Sequence, residues 1–168
     1  MEKKWVEEKV RGMSLEEKAG QLLMVAFFSW EETARKQFTE RLLSIHAGGV
    51  FHFSAKQKDL AAFVSDLQKR SALPMLVASD FELGAGWFIP EAVRFQRPMA
   101  RGYSGSETSE YEIGKVIARQ GRSVGTNLTF SPVVDVNTDP LCPDVNIRAY
   151  SDRPDRVTEL ASGYVKGL

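Results

Sequence analysis

Two stretches of the 168-residue sequence carry side chains whose types and spacing could do chemistry. The first is VASDFELGAG, residues 77–86, where an apolar run from Met75 to Ala78 is cut off by Asp80. Glu82 follows two residues on, with Gly84 and Gly86 behind it. A carboxylate at the end of a buried strand can accept hydrogen bonds from a ligand, or it can form a turn or cap a helix. Against the turn and cap readings, no helical pattern follows Asp80 for some twenty residues, to about Tyr103. A loop of that length is more often functional or disordered, and GWFIPEAVRF is too apolar and aromatic for disorder. The two glycines would let the backbone pass close to a ligand or turn tightly. They do not complete a GxGxxG phosphate cradle.

The second stretch is DVNTDPLCPDVNIRAYSDRPDRV, residues 135–157, dense in Asp, Asn and Arg. Its Asp135-x-Asn137-x-Asp139 pattern lacks the central Gly and terminal Glu of a calcium loop, so no metal site is assigned. Arg148, between Ile147 and Tyr150, offers a planar donor fork for a hydroxyl-rich or anionic ligand. A surface ion pair with Asp144 or Asp152 is the competing reading. His52, flanked by Phe51 and Phe53, is read as a core or pocket histidine. The lone Cys142 is read as a small hydrophobe. No G-x-S-x-G elbow and no metal-ligand spacing of His, Cys or carboxylates occurs, so local motifs alone name no reaction.

Both stretches need a scaffold to bring them together, and the hydrophobic pattern supplies one. Apolar runs at 22–28, 49–53, 74–79 and 126–134 read as strands, the first covered on both faces. Helical stripes separate them: Ala34, Phe38, Leu42 and Ile45; then Leu60, Phe63, Val64 and Leu67; then Ile113, Val116, Ile117 and Val124. Ser14 and Glu17 stand in capping-box spacing at the first helix. Pro154 opens the last one, with Val157, Leu160, Ala161, Tyr164 and Val165 as its apolar face. Strands alternating with helices predict an α/β fold with a parallel sheet. Two architectures fit: a doubly wound open sheet, or four βα units forming the N-terminal half of a (β/α)8 barrel. Since a full barrel takes about 250 residues, residues 1–168 are expected to form one partial domain.

Composition narrows the partners. The 22 basic and 22 acidic residues balance, with no long like-charge block, so neither nucleic acid nor an anionic membrane is an expected partner. The N-terminus MEKKWVEEKV has no apolar signal core, and no apolar run reaches the length of a membrane span, so a cytoplasmic location is expected.

Taken in order from Met13, the chain resembles the N-terminal half of the catalytic barrel of glycoside hydrolase family 3, in its β-N-acetylhexosaminidase-like branch. SLEEKAGQLLMV is similar to the family's opening helix and first strand, and AGGVFHF to its Gly-Gly-hydrophobic second strand. LPMLVASDFELGAGWFIPEAVRF corresponds to the segment reading Asp-Gln-Glu-Gly-Gly and then Val-x-Arg-Phe. GTNLTFSPVVDVNTDP and NIRAYSDRPDRVTELASGYVKGL resemble the fourth strand and the Arg-Ser-Phe-Gly segment after it.

The resemblance implies a retaining exo-acting β-glycosidase acting on a β-linked sugar without a cofactor. It implies that Asp80 binds hydroxyls of the sugar in the −1 subsite and that Arg148 helps hold the same sugar. Glu82 and Arg94 also match family positions, as loop-ordering residues. The family's Lys-His-Phe-Pro-Gly-His-Gly block, its acid/base and its nucleophile match nothing here, so no catalytic residue is assigned and the chain alone is expected to be inactive. The alternative is a non-catalytic carbohydrate-binding half-barrel. A half-barrel would leave two sheet edges open to self-association, and would leave the helices near Ser109 and Pro154 with uncovered apolar faces.

Overall fold

The computed structural model describes residues 3–168. Helices α1 (Lys3–Gly12) and α2 (Leu15–Gln21) precede four βα units. These are β1 (Met24–Phe27) with α3 (Glu32–Ser44), β2 (Gly49–His52) with α4 (Gln57–Arg70), β3 (Leu76–Ser79) with α5 (Pro98–Ser104) and α6 (Glu107–Ser123), and β4 (Leu128–Thr129) with α7 (Pro154–Gly167). All neighbouring strands are parallel, in the order β1-β2-β3-β4. A doubly wound sheet reverses its strand order at a switch point, whereas a (β/α)8 barrel adds strands in sequence. The observed order is that of half a barrel.

Register explains which side chains face which layer. Val25, Val50 and Val77 are aligned across β1–β3, and Phe27 is level with His52. This row packs under the helices in a core with Leu42, Leu60, Phe63, Leu67 and Ile117. Because side chains alternate along a strand, the row Ala26, Phe51, Ala78 and Leu128 faces the other way. That inner face carries phenylalanines in contact: Phe28–Phe53 at 4.7 Å between ring centroids, Phe51–Phe53 at 4.9 Å and Phe51–Phe130 at 5.9 Å.

Several expectations are corrected. The first strand is shorter than the run 22–28 and is not covered on both faces: Met24, Val25 and Ala26 are only half-buried, while Leu22, which caps the end of α2, and Phe28 just past the strand are 87% and 73% exposed. Helix α1 was not legible as an element, and the long loop after β3 contains a 3-10 turn (Ala85–Trp87) and α5. The capping box at Ser14 forms, with Glu17 N–H on its hydroxyl, but that helix ends at Gln21. Nor are α6 and α7 left bare, because they cover each other. A Cβ at Gly114 would lie 2.3 Å from the Tyr164 carbonyl oxygen, and one at Gly163 would lie 2.2 Å from that of Glu107. That closeness buries Ile117, Leu160 and Tyr164, while Val165 points to solvent.

Candidate functional site

The carboxyl ends of β2, β3 and β4 are stitched together by short hydroxyl side chains. Ser79 Oγ donates to the His52 carbonyl at 3.1 Å, and Thr129 Oγ1 accepts from the Ser131 and Phe81 backbone N–H groups at 3.3 and 3.4 Å. His52 lies beneath this rim and is fully buried. Its Nδ1 meets the Phe53 carbonyl at 3.2 Å and so carries the proton, leaving Nε2 to accept from Thr126 Oγ1 at 2.8 Å. Burial lowers its pKa, so it sits neutral in the core and away from the open face.

Asp80 follows β3 in the alternation that puts Ala78 on the inner face. It is half-buried, and Ser131 Oγ donates to its Oδ1 at 3.0 Å. Burial, and then the nearby Glu82 carboxylate, raise its pKa above the ordinary carboxylate range; Ser131 and Arg148 work the other way. A carboxylate so placed is a strong acceptor for hydroxyl donors, because partial desolvation strengthens each hydrogen bond it makes.

Arg148 reaches the same rim from the 3-10 turn Asn146–Arg148. Its acidic partner is neither Asp144 nor Asp152. Its Nε donates to both Glu82 carboxylate oxygens at 3.0 Å, and its Nη2 is paired with Glu82 Oε1. Asp144 supplies only its backbone carbonyl, 2.8 Å from Nη1. The guanidinium carries five N–H groups, so one on each Nη is not used in these contacts. Hydrogen bonding to Glu82 raises the Arg148 pKa further above its ordinary value, and Asp80 contributes to that rise. Asp80, Glu82 and Arg148 therefore form one electrostatic group across the ends of β3 and β4.

The glycines after Glu82 serve the loop itself. Gly84 has φ +87°, and a Cβ there would lie 2.7 Å from the Val93 carbonyl; one at Gly86 would lie 2.4 Å from that of Ala92. The segment 84–86 presses on the returning chain at 92–95, tied by Gly86 N–H to Val93 O at 2.9 Å and Phe95 N–H to Leu83 O at 2.7 Å. Arg94 stands in this return segment, its guanidinium 4.4 Å from the centre of the Trp87 ring, and it does not join Asp80 and Arg148.

Sequence reasoning missed Ser131, Thr129, Arg101, Glu110 and Tyr150. Ser131 falls inside the run 126–134 that reads as a strand, and its place at the rim follows only from β4 ending at Thr129. The other four also need the tertiary structure. A surface cleft of about 590 Å3 lies at the other end of the strands, bordered by Glu17, His46 and Leu73, and is separate from this rim. Among the described residues no cluster of His, Cys, Asp and Glu could hold a metal, and no helix is long and apolar enough to cross a membrane.

The comparisons with known proteins agree on one family. Residues 14–168 match the family model described as "Glycosyl hydrolase family 3 N terminal domain". A beta-N-acetylglucosaminidase/beta-glucosidase of Cellulomonas fimi is 29% identical over 164 residues, 98% of this chain and 28% of that protein. A beta-hexosaminidase of Photobacterium profundum is 30% identical over 128 residues, 72% of this chain and 37% of its own length. The chain thus spans well under half the length of these relatives.

Among solved structures, beta-glucoside phosphorylase BglX bound to 2FGlc superposes with a TM-score of 0.90 at 28% identity, covering 99% of this chain and 30% of that one. A glycoside hydrolase family 3 beta-N-acetylglucosaminidase from Paenibacillus sp. str. FPU-7 superposes at 0.81 with 29% identity, covering 93% and 31%. The four βα units, and the match along nearly the whole sequence, make this chain a member of glycosyl hydrolase family 3, within its N-terminal domain.

Proposed function

We propose that this chain supplies part of the glycone (−1) subsite of a retaining, exo-acting β-glycosidase. The carrying observation is the convergence of Asp80 and Arg148 at the carboxyl ends of β3 and β4, where parallel α/β folds bind their ligands. Asp80 would accept hydrogen bonds from sugar hydroxyls. Arg148, anchored on Glu82, would donate its remaining N–H groups to the same ring. Both contacts are of the kind that tighten as the ring distorts toward an oxocarbenium-like transition state. The names of the relatives support a β-linked glucose-type or N-acetylhexosamine sugar. One structural neighbour is a phosphorylase, and a glycone site of this kind suits transfer to phosphate as well as to water, since holding the sugar does not choose the acceptor.

Retention needs a carboxylate nucleophile and a separate acid/base. We assign neither here: Asp80 is engaged with Ser131 and Glu82 with Arg148. The 168-residue chain alone should therefore bind a sugar without turning over a β-glycoside. Its open edges at β1 and β4 are where it would self-associate.

The test is a titration of the 15N-labelled chain with N-acetylglucosamine, glucose and xylose. Shifts should concentrate at residues 80–82, 129–131 and 146–150 for at least one sugar, and should vanish in Asp80→Ala. Shifts scattered elsewhere, or unchanged in the variant, would remove Asp80 from the site.

A further inference from the structure

Behind the rim lies a second arginine–carboxylate pair with no place in the sugar site. Arg101 on α5 and Glu110 on α6 are 5% and 0% exposed, and Arg101 Nη1 donates to Glu110 Oε2 at 2.8 Å. The Tyr150 hydroxyl donates to the same oxygen at 2.7 Å, and its ring centre lies 5.3 Å from the Arg101 guanidinium. Burying such a pair costs desolvation that an apolar replacement of similar volume would avoid. A pair of that kind is weak evidence for stability, so its connections matter more than its strength.

Those connections close a circuit. Arg101 Nη2 donates to the backbone carbonyl of Glu82 at 3.1 Å, while the Glu82 carboxylate receives Arg148. Arg148 stands two residues before Tyr150, which returns the path to Glu110. The two sides of the rim, the end of β3 and the turn after β4, are thus joined twice: once at the surface through Glu82 and Arg148, and once underneath through Arg101, Glu110 and Tyr150. The lower joint is held from behind as well. A Cβ on Gly102 would sit 1.7 Å from the Tyr150 carbonyl oxygen, so the backbone of α5 packs directly on this turn and leaves no room for a side chain there. Arg156 of α7 donates to the Gly102 carbonyl at 3.1 Å and to that of Gly105 at 2.6 Å.

We propose that Arg101, Glu110 and Tyr150 are positioning residues, a buried link that presets the Glu82–Arg148 contact and with it the place of the Arg148 fork. Without the link, two long side chains on separate loops would have to find one geometry and lose rotamer freedom in doing so. With it, the backbone on both sides is already set. The positioning claim stands on these contacts alone; its consequence for sugar binding rests on the proposed glycone subsite.

The Arg148 Nε–H proton reports the clamp directly by NMR, as a resonance protected from solvent exchange and identified by its loss in Arg148→Lys. In Tyr150→Phe the ring stays in place and only the link through the hydroxyl is cut. In the double variant Arg101→Met/Glu110→Met the buried charges leave together. Both should lower the protection of Arg148 Nε–H by about tenfold, the equivalent of one lost hydrogen bond, while the amides of α6 stay protected. Lys166→Met, which breaks the exposed Lys166–Glu107 pair between the same two helices that pack on this link, α6 and α7, should leave it unchanged.

Wild-type protection in both network variants would overturn the proposal, as would an equal loss in Lys166→Met. If the double variant does not fold, Tyr150→Phe decides alone. Loss of protection with unaltered sugar affinity would uphold the positioning role and refute instead the glycone role of Arg148.

Discussion

Two of the arginine–glutamate pairs among the described residues, Arg148–Glu82 and Arg101–Glu110, share a residue in their wiring and differ in almost everything else. At the rim, the side chains of Arg148 and Glu82 are 41% and 12% exposed, and one N–H on each Nη of the arginine lies outside its contacts with Glu82 and Asp144. Beneath it, Arg101 and Glu110 are buried, and burial raises the Glu110 pKa even though Arg101 opposes the shift. Water reaches the arginine of the first pair, although Glu82 is largely enclosed, so that pair is partly screened and contributes less to stability than a fully enclosed one. The second is unscreened, so removing one partner strands a charge in the core. The same two functional groups thus form a solvent-facing pair at the rim or an enclosed pair in the core, depending on how much solvent reaches them.

The sharpest way to break this comparison is Glu110→Ala, expected to destabilise the protein by about 3–5 kcal/mol, because Arg101 would be left buried and unpaired. Urea unfolding would measure it. Arg101→Met/Glu110→Met, which removes both charges, should come out within about 1 kcal/mol of wild type or above it. If the single and double variants fall equally, the pair is not unscreened as described here.

Asp80→Ala should do the reverse. Glycone affinity should fall by about tenfold to a hundredfold, as one charged hydrogen bond worth about 1.5–3 kcal/mol is lost, while the unfolding midpoint stays near wild type. Calorimetric titration with the sugar that binds best, beside a melting curve, separates the two effects. A large loss of stability with intact affinity would move Asp80 from the rim to the scaffold.

A third expectation concerns pH. The folded-state pKa of His52 is depressed by burial, so the unfolded chain takes up the proton first as pH falls. Stability should be fully present above the ordinary histidine value of about 6.5 and decline below it, by at most about 1.4 kcal/mol per pH unit for one proton. Asp80 and Glu110, whose pKa values are raised, act in the opposite sense. They protonate first in the folded state and offset part of the loss as pH falls from their raised values toward the ordinary carboxylate range. Urea midpoints from pH 8 to 5 should slope downward in wild type and flatten in His52→Gln; parallel slopes in both would place the titration elsewhere.

The smallest effect on stability is expected for Arg148→Lys, within about 0.5 kcal/mol, because the substitution keeps a positive charge beside Glu82 on a side chain that is 41% exposed. Its cost should appear in sugar binding, because an ammonium cannot reproduce the planar fork that holds Glu82 and still donates outward. Unchanged sugar affinity in this variant would leave Asp80 as the rim's ligand and make Arg148 a structural partner of Glu82.

Much of this was legible in the sequence because it is written in local patterns. Continuous apolar runs mark the strands, and period-3.6 apolar stripes mark the helices between them. Ser14 and Glu17 announce a helix start three residues apart, and the break of the apolar run at Asp80 marks a strand end from which a side chain leaves the core. Exposure along the first run was not legible: the run 22–28 reads the same whether the strand fills it or is shorter, and here Leu22 and Phe28 lie in water. The wiring of the rim was out of reach as well. Glu82 and Arg148 meet across 66 residues, and Arg101 pairs with Glu110 across the break between α5 and α6. By itself, then, the sequence determined the βα alternation, the caps and the position of Asp80, since each depends on neighbours within a turn or a strand. Which arginine pairs in the core and which at the rim was decided only when the segments after β3 and β4 came together with α5 and α6, because charge pairing in a fold is set by distance and solvent access rather than by spacing along the chain.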